Sequence, residues 1–251
     1  MNISTQNCIL AAMAGITNGK FASQFINTKQ VGKVTIGGYP IGKEMRQAAV
    51  LASKRGRTEF ILQDREETSS IVQELEYIKS PSDTIINLRI NTLDDVQHFV
   101  KQLSSEITVK PIIEINAHCQ QQEFLSVGGG QSLIKRPALL TEMIHVIQAQ
   151  DFAISLKIRA NQLNPESFSK FVNNWDLDYL HIDSYKIGTL GTDLNLLKRF
   201  VNQCQVAVIG NNSVVDRVSA KKILEVGAKY FSIARAARNN SKIFNEIIQK
   251  L

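Results

Sequence analysis

Five polar residues stand at or near the C-terminal ends of short apolar runs: Asn87, Asn116, Lys157, His181 and Asn211. A single residue of this kind is ordinarily a loop group satisfying nearby backbone. Five on separate runs point to a shared site. Lys157 lies between Leu156 and Ile158, a charged residue in a short apolar strand and so a candidate site group. A plain surface lysine is the alternative. Arg159 extends the same face and can meet a ligand or pair with a loop carboxylate. Cys119 is followed by a polar, glycine-containing stretch, which suggests a mobile loop, although an isolated cysteine is by default an inert buried thiol. Cys8 and Cys204 lack comparable surroundings and read as structural. The three cysteines form no CxxC pair and no zinc spacing, so neither a disulfide framework nor a metal centre is implied.

Short apolar runs alternate with longer amphipathic segments along the chain. The runs Ile9–Met13, Lys33–Gly37, Thr84–Arg89, Pro111–Asn116, Ile154–Arg159, Tyr179–Asp183, Val206–Asn211 and Tyr230–Ala234 read as strands. Leu93-Asp94-Asp95, Pro137, Pro165-Glu166-Ser167 and Asp216 read as helix openings. Eight strands separated by helices predict a single α/β domain over residues 1–251, a closed (β/α)8 TIM barrel. An open doubly wound sheet is the other solution to the same alternation. The run Glu59–Gln63 fits an edge strand or a segment following the second strand. In a barrel, polar residues at strand ends face the mouth where active sites form.

No stretch reaches the roughly 18 apolar residues of a membrane span, and the N-terminus lacks a basic leader. A cytoplasmic protein with no membrane association is expected. The formal charge of +6 and isoelectric point of about 9.2 favour a polyanionic partner such as RNA. The lysines are dispersed, however, and no dense basic run marks a docking site.

Several segments, in order, resemble the tRNA-dihydrouridine synthases. Leu10-Ala11-Ala12-Met13-Ala14-Gly15-Ile16-Thr17 is similar to their opening Pro-Met-Ala-Gly-Val-Thr turn, with Ala12 replacing the proline. Glu114-Ile115-Asn116-Ala117-His118-Cys119-Gln120 resembles their Asp-hydrophobic-Asn-x-Gly-Cys-Pro segment, with His118 and Gln120 in place of Gly and Pro. Gly128-Gly129-Gly130-Gln131-Ser132-Leu133-Ile134 and Pro137 keep the spacing of the glycine-rich turn and helix that follow. Ser155-Leu156-Lys157-Ile158-Arg159 resembles the Val-Lys-x-Arg strand. Val208-Ile209-Gly210-Asn211-Asn212 and Ser232-Ile233-Ala234-Arg235 resemble the ends of the seventh and eighth strands.

The resemblance implies an FMN site in an oxidoreductase. Ala12, Met13 and Ala14 would let backbone approach the isoalloxazine ring. Asn87, at the position of the family's glutamine, and Asn116 would meet its polar edge, or else cap the loops after their strands. Lys157 would stabilise the N1–C2 carbonyl edge of reduced flavin. His181 would contact flavin or substrate, although the Gly-Arg that follows it in the family is absent. Phosphate would lie by Gly210, Asn211, Ala234 and Arg235, with Arg235 a charge-assisted ligand. Arg159 would bind substrate. In the resembling enzymes reduced flavin delivers hydride to uracil C6 and a cysteine protonates C5. Cys119 occupies that position, and a free thiol is mostly protonated at neutral pH.

The implied substrate is uridine in tRNA and the implied electron donor NADPH. Bacterial family members carry a helical C-terminal domain that grips tRNA, whereas this sequence stops about one helix after Arg235. The barrel rim, a homo-oligomer or an accessory RNA-binding partner would then supply the grip. A flavin dehydrogenase of a free pyrimidine and a non-catalytic flavin- or RNA-binding barrel are the alternatives.

Overall fold

A computed structural model describes residues 2–63, 66–188 and 191–249. Eight parallel strands close into a barrel in sequence order. They are β1 (Cys8–Leu10), β2 (Lys33–Pro40), β3 (Thr84–Arg89), β4 (Ile112–Ala117), β5 (Ile154–Arg159), β6 (Tyr179–Asp183), β7 (Ala207–Asn211) and β8 (Tyr230–Ile233). The closed sheet excludes the open doubly wound alternative. Closure is made by β1 on β8, with Cys8, Ile9 and Leu10 opposite Phe231, Ser232 and Ile233.

The helices are α1 (Gly19–Ile26), α2 (Lys43–Lys54), α3 (Glu67–Leu75), α4 (Leu93–Glu106), α5 (Gln122–Ser126), α6 (Pro137–Gln148), α7 (Pro165–Val172), α8 (Leu194–Gln203), α9 (Arg217–Glu225), α10 (Arg235–Asn239) and α11 (Ile243–Ile248). The openings expected at Leu93, Pro137, Pro165 and Asp216 are all present. Thr92, Asn164 and Asp216 accept a hydrogen bond from the third helical N–H of α4, α7 and α9, which satisfies a donor that the helix itself leaves open.

Two strand ends differ from the sequence expectation by more than one residue. The first strand stops at Leu10, because Met13 starts a turn whose carbonyl accepts from the N–H groups of Ile16 and Thr17. The second continues to Pro40 through a bulge between Gly37 and Tyr39; Gly37, at φ +99, leaves no room for a Cβ beside the Asn87 carbonyl. The Glu59–Gln63 run is neither strand nor helix.

Side chains alternate across each strand. One parity packs under the helices: Leu10, Ile36, Ile86, Ile115, Leu156, Ile182 and Val208 belong to the large outer core. The other parity fills the barrel. Its lower part is apolar, with Ile9, Ile85, Ile112 and Ile209 packed together against Tyr179 and Tyr230. Two residues further along the strands the interior turns polar, with Asn87, Glu114, Ser155, His181 and Ser232 all buried. A polar layer in this position costs free energy unless every group is paired, and it supports the open end of the barrel.

Candidate active site

Glu114 is the hub of that layer. Its Oε1 accepts from Asn87 Nδ2 at 2.6 Å, and its Oε2 accepts from Ser155 Oγ at 2.9 Å and His181 Nδ1 at 2.7 Å. The carboxylate fixes the histidine as the Nδ1–H tautomer, so Nε2 accepts from Ser232 Oγ at 2.8 Å. Burial opposes ionisation of Glu114, yet His181, Lys157 and the Asn87 amide hold its pKa down to about 2. Burial and the charge of Lys157 push the His181 pKa down, which keeps the ring neutral.

The network climbs from Glu114 to the mouth. Asn116 Nδ2 donates to Asn87 Oδ1 at 2.9 Å, and Asn116 Oδ1 accepts from the N–H groups of His118 at 3.2 Å and Cys119 at 3.0 Å. Asn116 therefore caps the turn that carries Cys119. From the other side, the Cys119 carbonyl accepts from Gln131 N at 2.9 Å. Gly130, at φ +56, packs so closely that a Cβ would lie 2.4 Å from that carbonyl. The cysteine segment is thus held on two sides rather than loose, and Cys119 is 7% exposed. Cys8 and Cys204 are buried elsewhere, their thiols pushed up to about 12 and about 11 by desolvation.

Above this network lies a cavity of about 1140 Å³. Ala12, Met13, Ala14, Asn87, Asn116, Cys119, Lys157, Arg159 and Arg235 line it. Thr17 shapes the first wall: its hydroxyl accepts from Met13 N at 2.8 Å and lies 3.2 Å from the carbonyls of Met13 and Gly37. Lys157 is buried against the cavity and makes no hydrogen bond or ion pair with the described residues. Burial lowers its pKa, while the carboxylates of Glu114 and Asp183 pull it back.

Beside Lys157 sits a second cluster. His118 Nε2 lies 2.6 Å from Asp183 Oδ2, and Arg159 Nη2 lies 3.4 Å from the same oxygen. Asp183 Oδ1 accepts from Tyr185 N at 3.1 Å and Asn212 Nδ2 at 2.8 Å. Burial works against this charge, but the hydrogen bonds from His118 and Asn212 and the Arg159 guanidinium hold the carboxyl well below the usual range.

Four residues expected at the cofactor do not line the cavity. His181 is sealed beneath it, with both ring nitrogens engaged. Gly210 faces outward, where a Cβ would come within 2.4 Å of Ile223 Cγ2 and 3.1 Å of Leu197 Cδ2. Asn211 and Ala234 stand at the ends of β7 and β8 without reaching the cavity wall. Asn87 does reach it, but its amide oxygen and nitrogen already serve Asn116 and Glu114.

Sequence reasoning missed the wall between α2 and α3. Arg55, Gly56, Arg57, Thr58 and Glu59 line the cavity there, as does Arg238 on α10. Glu59 pairs with Arg89, whose guanidinium lies 4.2 Å from the Phe124 ring centre. This segment has no helical or strand period to betray it. The only visible signal was the pair of arginines flanking Gly56.

The architecture is a (β/α)8 barrel with a polar cavity at the C-terminal ends of its strands, the usual location of barrel active sites. The "Uncharacterized protein MJ0144" of Methanocaldococcus jannaschii is 31% identical over 241 residues, covering 94% of this chain and 90% of that protein. The chain belongs to the same family as that archaeal protein. The tRNA-dihydrouridine synthase B of Pseudomonas putida is 27% identical over 146 residues, 54% of this chain and 43% of the synthase. No protein-family model matches. Among solved structures, the tryptophan synthase complex of Pyrococcus furiosus aligns with TM-score 0.62, 14% identity and 99% of each chain covered. A FabK mutant of Thermotoga maritima aligns with TM-score 0.59 and 12% identity over 93% of this chain and 62% of that one. At these identities the structural likeness concerns the fold. No helix among the described residues is long and apolar enough to cross a membrane.

Proposed function

We propose that this barrel binds FMN and reduces the C5=C6 bond of uridine in tRNA, with Cys119 as proton donor. The observation that carries the reading is Lys157, a lysine buried at the cavity wall without a hydrogen-bonded partner among the described residues. A buried ammonium that makes no hydrogen bond is costly, and the electron-rich edge of a bound ring relieves that cost. The partial similarity to the Pseudomonas synthase supports the same reading.

The residues present fit the group. The cavity of about 1140 Å³ exceeds the roughly 300–1,000 Å³ of ordinary small-molecule sites, leaving room for a flavin and a base together. Ala12 and Ala14 offer small side chains and close backbone on either side of Met13, and Arg235 and Arg238 also line the cavity. When bound, FMN reduced by NADPH would supply the hydride for C6. Lys157 would hold negative charge at the ring edge. The Cys119 thiol gives its proton to C5 and is left as thiolate, which solvent reprotonates. Asn116 fixes the approach of that thiol through the two backbone N–H groups it accepts from. A uridine in tRNA must leave its stack to reach this depth, and Arg55, Arg57 and Arg238 can meet the phosphodiester backbone at the rim.

Two measurements test the proposal. Denaturing the purified protein should release FMN, identified by mass and absorbance. Mass spectrometry of RNA nucleosides from cells with and without the gene should show dihydrouridine lost with it. A folded barrel that neither retains nor takes up FMN removes the proposal, and activity confined to free uracil or orotate removes its tRNA half.

A further inference from the structure

We propose that His118, oriented by Asp183 and flanked by Arg159, is a specificity-determining acceptor that reads the imide edge of a pyrimidine-2,4-dione. That edge is an N–H between two carbonyls, and uracil and the flavin ring system share it. The inference deepens the proposed function and rests on it only for the identity of the occupant.

The argument begins with Asp183. Its Oδ2 lies 2.6 Å from His118 Nε2, and a carboxylate at that distance requires a donor. Nε2 therefore carries the ring hydrogen. A neutral imidazole has one donor and one acceptor, so Nδ1 presents a lone pair. Burial drives the His118 pKa down to about 4, which keeps the ring neutral near pH 7. Nδ1 has no hydrogen-bond partner among the described residues and is not closed off from solvent, and His118 lines the cavity.

Arg159 adds positive charge on the Nε2 side of the ring. Its Nη2 lies 3.0 Å from His118 Nε2 and 3.4 Å from Asp183 Oδ2. A guanidinium only donates, so with Nε2 donating to the carboxylate the Nη2 hydrogens turn to Asp183, and Nδ1 is left as the ring's acceptor. The cavity wall thus offers a neutral ring acceptor, and an imide N–H is the donor that meets it. Cytosine shares the C2 carbonyl of uracil but has a lone pair at N3, which opposes the Nδ1 lone pair. Asp183 itself is fixed from behind by Tyr185 N and Asn212 Nδ2, so the tautomer is set before any ligand arrives.

The test is a tautomer swap. In Asp183→Asn, Oδ1 can still serve Tyr185 and Asn212, but the amide NH₂ now faces His118 and requires Nε2 as acceptor. The ring hydrogen must then move to Nδ1. Nitrogen-15 NMR of histidine-labelled full-length protein reads the tautomer, with His118→Phe identifying the signal. Titrations with uridine 5′-monophosphate, cytidine 5′-monophosphate and FMN read its consequence. Wild type should show Nε2–H and prefer the uridine nucleotide by about tenfold, the size of one well-formed base contact. Asp183→Asn should show Nδ1–H and lose that preference if the occupant is the substrate base, or lose FMN affinity by a similar factor if it is the flavin. His118→Phe should show the same loss, independently of how Asp183→Asn folds. An Nδ1–H tautomer in wild type overturns the inference. So do variants that change neither the FMN affinity nor the uridine-to-cytidine ratio. Protein that keeps the tautomer and the uridine preference but neither retains FMN nor reduces uridine supports this inference and defeats the catalytic one.

Discussion

Glu114 Oε2 and His181 Nδ1 lie 2.7 Å apart inside the barrel, with no solvent exposure on either side chain. This contact anchors a chain of hydrogen bonds that runs through Asn87 and Asn116 to the backbone of Cys119. The polar layer thereby connects barrel stability to the placement of Cys119.

Glu114→Ala should destabilise the protein by roughly 3–5 kcal/mol, the usual cost of removing one partner from a buried ionic network. His181 Nδ1, Asn87 Nδ2 and Ser155 Oγ would each lose an acceptor. Glu114→Gln keeps the shape and one acceptor and should cost less. Urea denaturation of both variants measures the difference, and an Ala variant as stable as wild type would refute the hub assignment.

Lys157→Ala should leave the barrel folded while weakening FMN binding or slowing flavin reduction. The lysine has no hydrogen-bond partner among the described residues, so its contribution should appear with ligand. Titration of FMN into ligand-free protein, followed by anaerobic reduction, checks this. Wild-type behaviour in both would return Lys157 to a structural role.

Cys119→Ala should bind FMN and permit its reduction, yet slow reduction of the uracil ring by roughly 10²–10⁴-fold, the range of positioned acid catalysis. Single-turnover oxidation of pre-reduced enzyme by unmodified tRNA separates the two half-reactions. An unchanged rate eliminates the thiol as the acid.

Stability should fall as pH drops below neutrality. His118 binds its proton less readily folded, with a pKa of about 4 against an ordinary value of 6.5. Its contribution is complete above 6.5 and is lost as pH falls towards 4. Glu114, at about 2 against an ordinary 4.5, adds a second loss between those values. Thermal melts from pH 7 to pH 2.5 should therefore decline in two stages, with His118→Phe reducing the upper stage, to which His181 also contributes, and Glu114→Gln the lower, to which Asp183 also contributes. A wild-type melting temperature independent of pH across this window contradicts both assignments.

Gly210→Ala should destabilise by about 1–3 kcal/mol through overpacking against Ile223 and Leu197, in the range of small-to-large core changes. FMN affinity should be unchanged, because the added methyl points at helices α8 and α9. A selective loss of FMN binding would restore the phosphate-loop role expected from its motif.

The sequence by itself determined the alternation of strands and helices and the direction in which most strand residues point, while closure into a barrel was decided by the pairing of β1 with β8. Apolar runs of strand length, separated by segments with helical period and capping residues, leave few ways to bury both faces of each strand. The alternation even placed Asn87, Asn116, Lys157 and Arg159 on inward positions, because strand parity is a local property. It also implied that Gly210, between inward Ile209 and Asn211, faces the helices, an implication that motif similarity obscured. Only the tertiary structure decided which polar groups meet. Glu114, His181 and Ser232 come from strands far apart in the chain, and their pairing depends on barrel register. The same register seals His181 beneath the cavity and leaves Lys157 open to it. The segment with Arg55, Arg57 and Glu59 joins the cavity through the Glu59–Arg89 pair, a long-range contact that no local period encodes. Depth, pairing and the tautomer of His118 are set by distances between strands, whereas strand and helix identity is set along them.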